Sequence, residues 1–172
     1  MKDFPILKTG VVYLDSGATS LTPVQVSQAI VNFHSKYKSN VHRGVHKISL
    51  EATEKFEEAR SLVADFIGAT GHEEIIFTSG TTASINGLAQ SLSRSLLNKG
   101  RGLQKGDEIV LTMMEHHSNL LPWLVLAHAC RAKIQFIDIT TDGRLNMAHA
   151  AKLIGKRTKI LAVTHASNVL GT

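Results

Sequence analysis

Two histidines stand side by side in "TMMEHHSNLLPW", residues 112–123, after Glu115 and before Ser118 and Asn119. An imidazole can bind a metal, move a proton near neutral pH, or offer a flat face to a planar ring. Zinc needs three or four converging ligands, whereas the side chains of chain neighbours such as His116 and His117 usually diverge. "EHHS" also lacks the helical His-Glu-x-x-His spacing. His42 and His46 are four apart, but Gly44 lies between them in a loop-like stretch, which argues against a helical metal pair. Cys130 is the only cysteine, so an intrachain disulfide and a cysteine-based zinc site are both excluded, and it reads as a core residue. No metal is expected. Nor does a Gly-x-Ser-x-Gly elbow place these histidines in a hydrolase triad. A polar loop, a proton carrier and a stacking surface remain open.

A second candidate is "TSGTT", residues 78–82. Gly80 allows close backbone approach, and the hydroxyls and amides of Thr81 and Thr82 would stand at the positive end of the helix that follows. That is a phosphate cradle by position and chemistry, although for this motif taken alone ordinary N-capping is the favoured account. It is not a P-loop, because no Gly-Lys-Thr/Ser follows.

The elements that must position these residues show in the hydrophobic pattern. Thr22 offers a cap, Pro23 a first helical residue and Gln25 a capping box for a helix running to about Tyr37. A second helix is predicted from Ser49 to Ile67, with Ala52, Phe56, Ala59, Val63 and Phe66 on its buried stripe, a Glu51–Lys55 pair on its wet face and Gly68 at its end. From residue 74 onward, short apolar runs alternate with helical stretches. The runs "EIIFT" (74–78), "EIVLT" (108–112), "KIQFID" (133–138) and "KILAVTH" (159–165) read as parallel strands. Helices are expected from "SGTT" to near Lys99–Gly100, over 119–131 with Pro122 in the first turn, and over 145–155. The runs lack polar alternation, as strands covered on both faces should. The expected fold is α/β, a mainly parallel sheet with helices on both faces. In such sheets ligands bind where loops leave the carboxyl ends of strands, which groups 78–82, 113–119 and 165–172 on one rim.

Composition narrows the function classes. In 172 residues, 43% are hydrophobic and 19% charged, which is globular composition with room for a real core. The net charge of +5 is scattered, and its densest cluster, "KLIGKRTK", has no aromatic beside it, so nucleic acid is not the expected partner. No apolar run has membrane-spanning length, and the first residues lack a signal-peptide core; no membrane association and a cytoplasmic location are expected.

The segments "YLDSGATS" (13–20), "NVHRGVHKIS" (40–49), "IIFTSGTTASIN" (75–86), "GDEIVLTMMEHHSNLLPW" (106–123) and "LAVTHASNVLGT" (161–172) occur in this order and at these spacings in one family. The chain resembles the N-terminal part of group II cysteine desulfurases, pyridoxal phosphate (PLP) enzymes of the class V aminotransferase family with the type I fold. Selenocysteine lyases share most of the pattern. Gly17 stands where many of these relatives carry alanine.

The resemblance implies an enzyme that converts L-cysteine to L-alanine and passes the sulfur, as an enzyme persulfide, toward iron–sulfur cluster assembly. It implies PLP as cofactor, a homodimer and a sulfur-acceptor protein as partner. By matching position, His116 stacks on the PLP ring and shuttles protons, while His117 supports the loop. Gly80, Thr81 and Thr82 match the phosphate-binding segment. Asn168 matches the residue that reaches the ring's phenolic oxygen and the substrate carboxylate, and Ala18 lines the substrate pocket. His42 and Arg43 match a loop that approaches the partner subunit's active site.

Residues 1–21 are then an N-terminal arm and 22–172 the first part of the PLP-binding large domain. The family's lysine that holds PLP covalently, its aspartate on the ring nitrogen, its nucleophilic cysteine and its carboxylate-binding arginine have no counterpart here. Lys159 precedes the last strand, at the wrong end for the rim. The chain is accordingly expected to be inactive alone. The alternatives are a non-catalytic fragment that binds a complementary chain, and a generic phosphate-binding α/β module. With "KILAVTH" apolar on both faces, an exposed sheet edge and self-association are expected.

Overall fold

The computed structural model describes residues 2–93 and 102–172, which form two compact units, one up to Phe77 and one from Thr78. In the first unit the 4,3 apolar spacing produces helix α2, Lys47–Ile67. It starts two residues earlier than the spacing predicts because His46 caps it, its Nδ1 accepting the Ser49 N–H at 3.4 Å. It stops as expected at Gly68, whose φ of 72° is the left-handed C-cap. The N–H groups of Gly68 and Ala69 close the last turn on Asp65 and Ala64.

Ala52 is buried, and Phe56, Ala59 and Val63 are half-buried, but Phe66 is 91% exposed and so leaves the predicted stripe. The stripe is covered only where other segments of the unit lie over it. Phe56 meets the rings of His42 and Phe77 edge to face at 5.6 and 5.5 Å, and in the last turns Ala64 takes the buried position. The Glu51–Lys55 pair is also not formed. Lys55 bonds Glu58 at 2.8 Å, and that hydrogen bond, helped by the charge, holds its ammonium pKa above the ordinary lysine value. Both groups are exposed and the pair contributes little to stability.

Helix α1, Val24–Asn32, continues as one wider turn over Phe33–Tyr37, which reaches the expected end. Its start differs from the capping-box reading. Pro23, extended at ψ 150°, is itself the N-cap, with no side-chain cap bond. The boundary therefore falls one residue later, and Gln25 reaches Asp3 Oδ1 at 2.6 Å instead of turning back on the helix.

The second unit holds three parallel strands in the order β2-β1-β3: β1 Glu108–Thr112, β2 Lys133–Ile137 and β3 Thr158–Ala162. Three of the four expected strands are therefore present, with parallel pairing. The fourth, 74–78, is not one: Glu74 ends a short turn, and the chain from Ile75 is extended but pairs with no described strand. Extended backbone becomes a strand only when a neighbour completes its hydrogen bonds. Helices α3 (Thr81–Ser93), α4 (Leu121–Cys130) and α5 (Met147–Leu153) supply the cover. Pro122 sits in the first turn of α4, as expected. The expected helix end near Lys99–Gly100 lies outside the described residues.

All five residues of β1 are buried. Ile109 and Leu111 face one cluster with Ala89 of α3 and Trp123, Leu126 and Ala127 of α4; Val110 faces the other, with Ile137 and Ala150 of α5. Helices thus lie on both faces. Burying each of these β1 side chains is worth about 1.5–3 kcal/mol. Cys130 packs half-buried against the first cluster. Strand β3 is at the sheet edge. Its Ile160 and Ala162 meet the core, while Leu161 and Val163 on the other face are 48% and 41% exposed.

Two expected outcomes follow from this packing. A Cβ on Gly44 would lie 2.5 Å from the Ser49 Cβ, which no side-chain rotation can relieve, since fully buried Ser49 is fixed by its bond to Asn40 O at 2.6 Å. Gly44→Ala should destabilise the chain by about 1–3 kcal/mol in denaturant unfolding; unchanged stability would mean the 40–49 segment is not closed as described. The open β3 edge and its apolar outer face should drive concentration-dependent association in light scattering, and Leu161→Lys should reduce it without lowering the melting temperature.

Candidate active site

Strand β1 delivers Thr112, 1% exposed, to its carboxyl end, and the chain then turns through Met113–Leu120 into α4. His116 caps a tight turn over His117–Asn119. The Nδ1 of His116 accepts the Ser118 N–H at 3.1 Å and lies 2.9 Å from the Ser118 hydroxyl. A backbone N–H can only donate, so Nδ1 carries a lone pair. In the neutral ring the proton is on Nε2, which has no protein partner among the described residues. The ring is held by one edge, leaving its other edge and its faces available.

Glu115 ties this loop to the next strand exit. Its Oε1 accepts the Thr112 hydroxyl at 2.5 Å and the Thr164 N–H, just past β3, at 2.8 Å. Its Oε2 accepts the Asn119 amide at 2.7 Å, and Asn119 Oδ1 in turn accepts the indole N–H of Trp123 at 2.8 Å.

Helix α3 enters from the "TSGTT" loop. Gly80, at φ 140°, adopts a conformation that side-chain-bearing residues avoid, and nothing lies within 4 Å of where a Cβ would stand. Ser84 donates its N–H and hydroxyl back to Gly80 O, and the Thr78 and Ser84 hydroxyls meet at 2.6 Å, so the loop is closed without using Thr81 or Thr82. The hydroxyls of Thr81 and Thr82 make no hydrogen bond among the described residues, and the first turn carries no acid. Its amides have no intrahelical partner.

The predicted residues meet in two adjacent cavities. One, of about 710 Å³, is lined by Thr81, Glu115, His116, Ser118, Thr164 and His165 together with the edge of β3. The other, of about 350 Å³, lies between α3 and α4, and Thr82, His117 and Ser118 are among its lining residues. The split has a simple cause. Successive helical residues point about 100° apart, so the Thr81 and Thr82 side chains line different cavities while both remain at the N-terminus of α3. The rings of His116 and His117 likewise diverge, 6.2 Å apart and tilted by 50°. Lys159 lines the larger cavity from the beginning of β3, the end away from the loops. Asn168 lines neither cavity. It is exposed in a turn closed by Ser167, which accepts from the N–H groups of Leu170 and Gly171.

The remaining candidates belong to the first unit. Exposed Ala18 sits in a turn where its N–H and that of Thr19 both donate to Asp15 O, and Tyr13 closes the turn on Thr19 O at 2.6 Å. His42, at φ 65°, pairs through Nε2 with Glu57 at 3.1 Å, while Arg43 is exposed. Sequence reasoning missed Glu115 and Ser118. Ser118 could have been suspected from its place two residues after His116, but the Glu115–Thr164 bond spans 49 residues and no local pattern signals it.

Comparison with known proteins agrees with this architecture. The family described as aminotransferase class-V matches residues 12–172. A protein of Staphylococcus aureus named "Probable cysteine desulfurase" is 49% identical over 99% of this chain, and the chain spans 41% of that protein's length. The apo structure of a cysteine desulfurase from Thermococcus onnurineus superposes with a TM-score of 0.87 at 47% identity, over 99% of this chain and 40% of that one. A cysteine desulfurase from Escherichia coli, solved as its S-sulfonic acid, gives a TM-score of 0.79 at 38% identity over 99% of this chain and 41% of its own. With its parallel sheet, its two-sided helical cover and a match over almost its whole length, the chain belongs to the class-V aminotransferase family.

Proposed function

We propose that this chain forms the phosphate- and ring-binding part of a PLP-dependent cysteine desulfurase. The observation that carries the reading is the meeting of an acid-free helix N-terminus with a free-edged histidine on one cavity at the strand exits. The residues fit the cofactor's two demands. Open space at Gly80, the unpaired hydroxyls of Thr81 and Thr82 and the first amides of α3 suit a phosphate dianion. The His116 ring, pinned at Nδ1, suits a planar heterocycle.

Bound PLP supplies an electron sink for bonds at a substrate's α-carbon. In this reading Thr81 and Thr82 bind the phosphate, and His116 stacks on the ring and carries a proton at Nε2. Asn168, whose side chain is free among the described residues, takes the phenolic oxygen and the substrate carboxylate. Ala18 lines the pocket for L-cysteine, and His42 and Arg43 serve the neighbouring subunit of a dimer. Residues 1–21 are the arm and 22–172 the first part of the cofactor domain. The sulfur goes by way of an enzyme persulfide to an acceptor protein for iron–sulfur cluster assembly, in the cytoplasm. No helix among the described residues is long and apolar enough to cross a membrane. A second reading, a piece that binds a complementary chain, is favoured by the open edge of β3.

PLP titration of the chain, followed by absorbance and phosphorus NMR, tests the site. Inorganic phosphate should compete, and Thr82→Val or Thr81→Val should weaken binding about tenfold, the worth of one charge-assisted hydrogen bond. Phosphate that fails to compete, or both variants binding like the parent, would remove the assignment. In the whole protein, His116→Ala should abolish alanine formation from L-cysteine while the phosphate contact, read by phosphorus NMR, persists.

A further inference from the structure

The hydrogen bonds around Glu115 converge on its carboxylate, and their direction is fixed at both ends by groups that can only donate. At one end the Trp123 indole N–H donates to Asn119 Oδ1 at 2.8 Å, which turns the Asn119 NH2 toward Glu115 Oε2 at 2.7 Å. At the other end the Thr164 backbone N–H donates to Oε1 at 2.8 Å. The Thr112 hydroxyl donates to the same oxygen, while its own oxygen lies 3.4 Å from the Met114 N–H. Both oxygens of residue 115 must therefore accept. A glutamine would turn its NH2 against either the Thr164 N–H or the Asn119 NH2. Rotating Asn119 to relieve the second clash would strip the buried Trp123 of its acceptor. Only a carboxylate satisfies the whole chain.

We infer that Glu115 is the positioning residue of this site, an acceptor clamp that locks the loop carrying His116 to the exit of β3. It joins Thr112 at the end of β1 and Asn119 at the entrance to α4, its neighbours in sequence, to Thr164 beyond β3, which lies 49 residues away and is brought near by the sheet. His116 is the next residue along the chain, so the orientation of its ring toward the cavity they share follows from the clamp. The relevance of that orientation to a cofactor rests on the function proposed above; the clamp itself does not.

The polarity of these bonds can be reversed by substitution. Glu115→Gln alone leaves one donor facing another. Asn119→Asp alone puts two carboxylates together. The double variant Glu115→Gln/Asn119→Asp restores every bond, with the central one reversed. The new amide at position 115 donates to the new carboxylate at position 119, which still accepts from Trp123. The remaining side-chain oxygen at position 115 still accepts from Thr164. In the 172-residue chain we measure amide exchange at Thr164, the nitrogen NMR signature of the His116 tautomer, and PLP affinity. Each single variant should lower Thr164 protection about tenfold or more and mix the His116 tautomers, and the double variant should return both toward the parent. If the single variants do not fold, folding of the double is the supporting result. Singles that leave both signals unchanged, or a double no better than Glu115→Gln or equally unfolded, overturn the clamp. PLP affinity should fall and recover in the same series. If the exchange and tautomer signals follow the pattern while no variant, the parent included, binds PLP, the clamp stands and the functional reading fails.

Discussion

Strand β1 has water on neither face. Ile109, Val110 and Leu111 are wholly buried between α3 and α4 on one side and α5 on the other, and both of its edges are taken by β2 and β3. The loop that carries His116 hangs from this strand. A chain buried in that way cannot slide or tilt without opening a cavity or breaking a ladder, so the point where Thr112 emerges is fixed. Glu108, at the opposite end and 5% exposed, is held by Arg157 at 3.1 Å, which anchors the strand from below. The loop that follows inherits the strand's rigidity for as many residues as its own bonds can carry it. Those bonds begin with Thr112 to Glu115 and end with Asn119 to Trp123.

That dependence explains which parts of the fold were legible in the sequence. Periodicity reports how much of an element is covered, and it found α2, the helices of the second unit and the three paired strands. It could not report what lies opposite. Phe66 continues the stripe of α2 by spacing yet is exposed, and "EIIFT" has the composition of a buried strand yet lacks a ladder partner among the described residues. The same limit applies to capping. Thr22-Pro23-Val24-Gln25 contains every residue of a capping box, but extended backbone at Pro23 shifts the frame by one residue, and the glutamine finds Asp3.

The site was legible residue type by residue type and less so pair by pair. Position after a strand or before a helix picked out the loops that line the two cavities, and the motif match suggested roles for Thr82, His116 and Asn168. Which neighbour faces which space is set by side-chain direction. The helix separates Thr81 from Thr82, and the tight turn separates His116 from His117, so that Thr81 shares a cavity with His116 and Thr82 with His117. A spacing rule applied to the one-dimensional chain treats each pair as interchangeable; the geometry does not.

The residue least visible in the sequence is the one that reconciles these facts. Glu115 reads as an ordinary acid before a histidine pair, and nothing within several residues of it announces Thr164. Yet a loop that leaves a buried strand and must present an imidazole at a set angle needs a second fixed point, and the first residue past a neighbouring parallel strand is the nearest one available. A backbone amide there is a strong donor with no ladder partner of its own at a sheet edge, and a carboxylate is the side chain that can accept it while still accepting from two side chains in the loop. The acid and the histidine are adjacent because one holds the loop and the other uses the position so held.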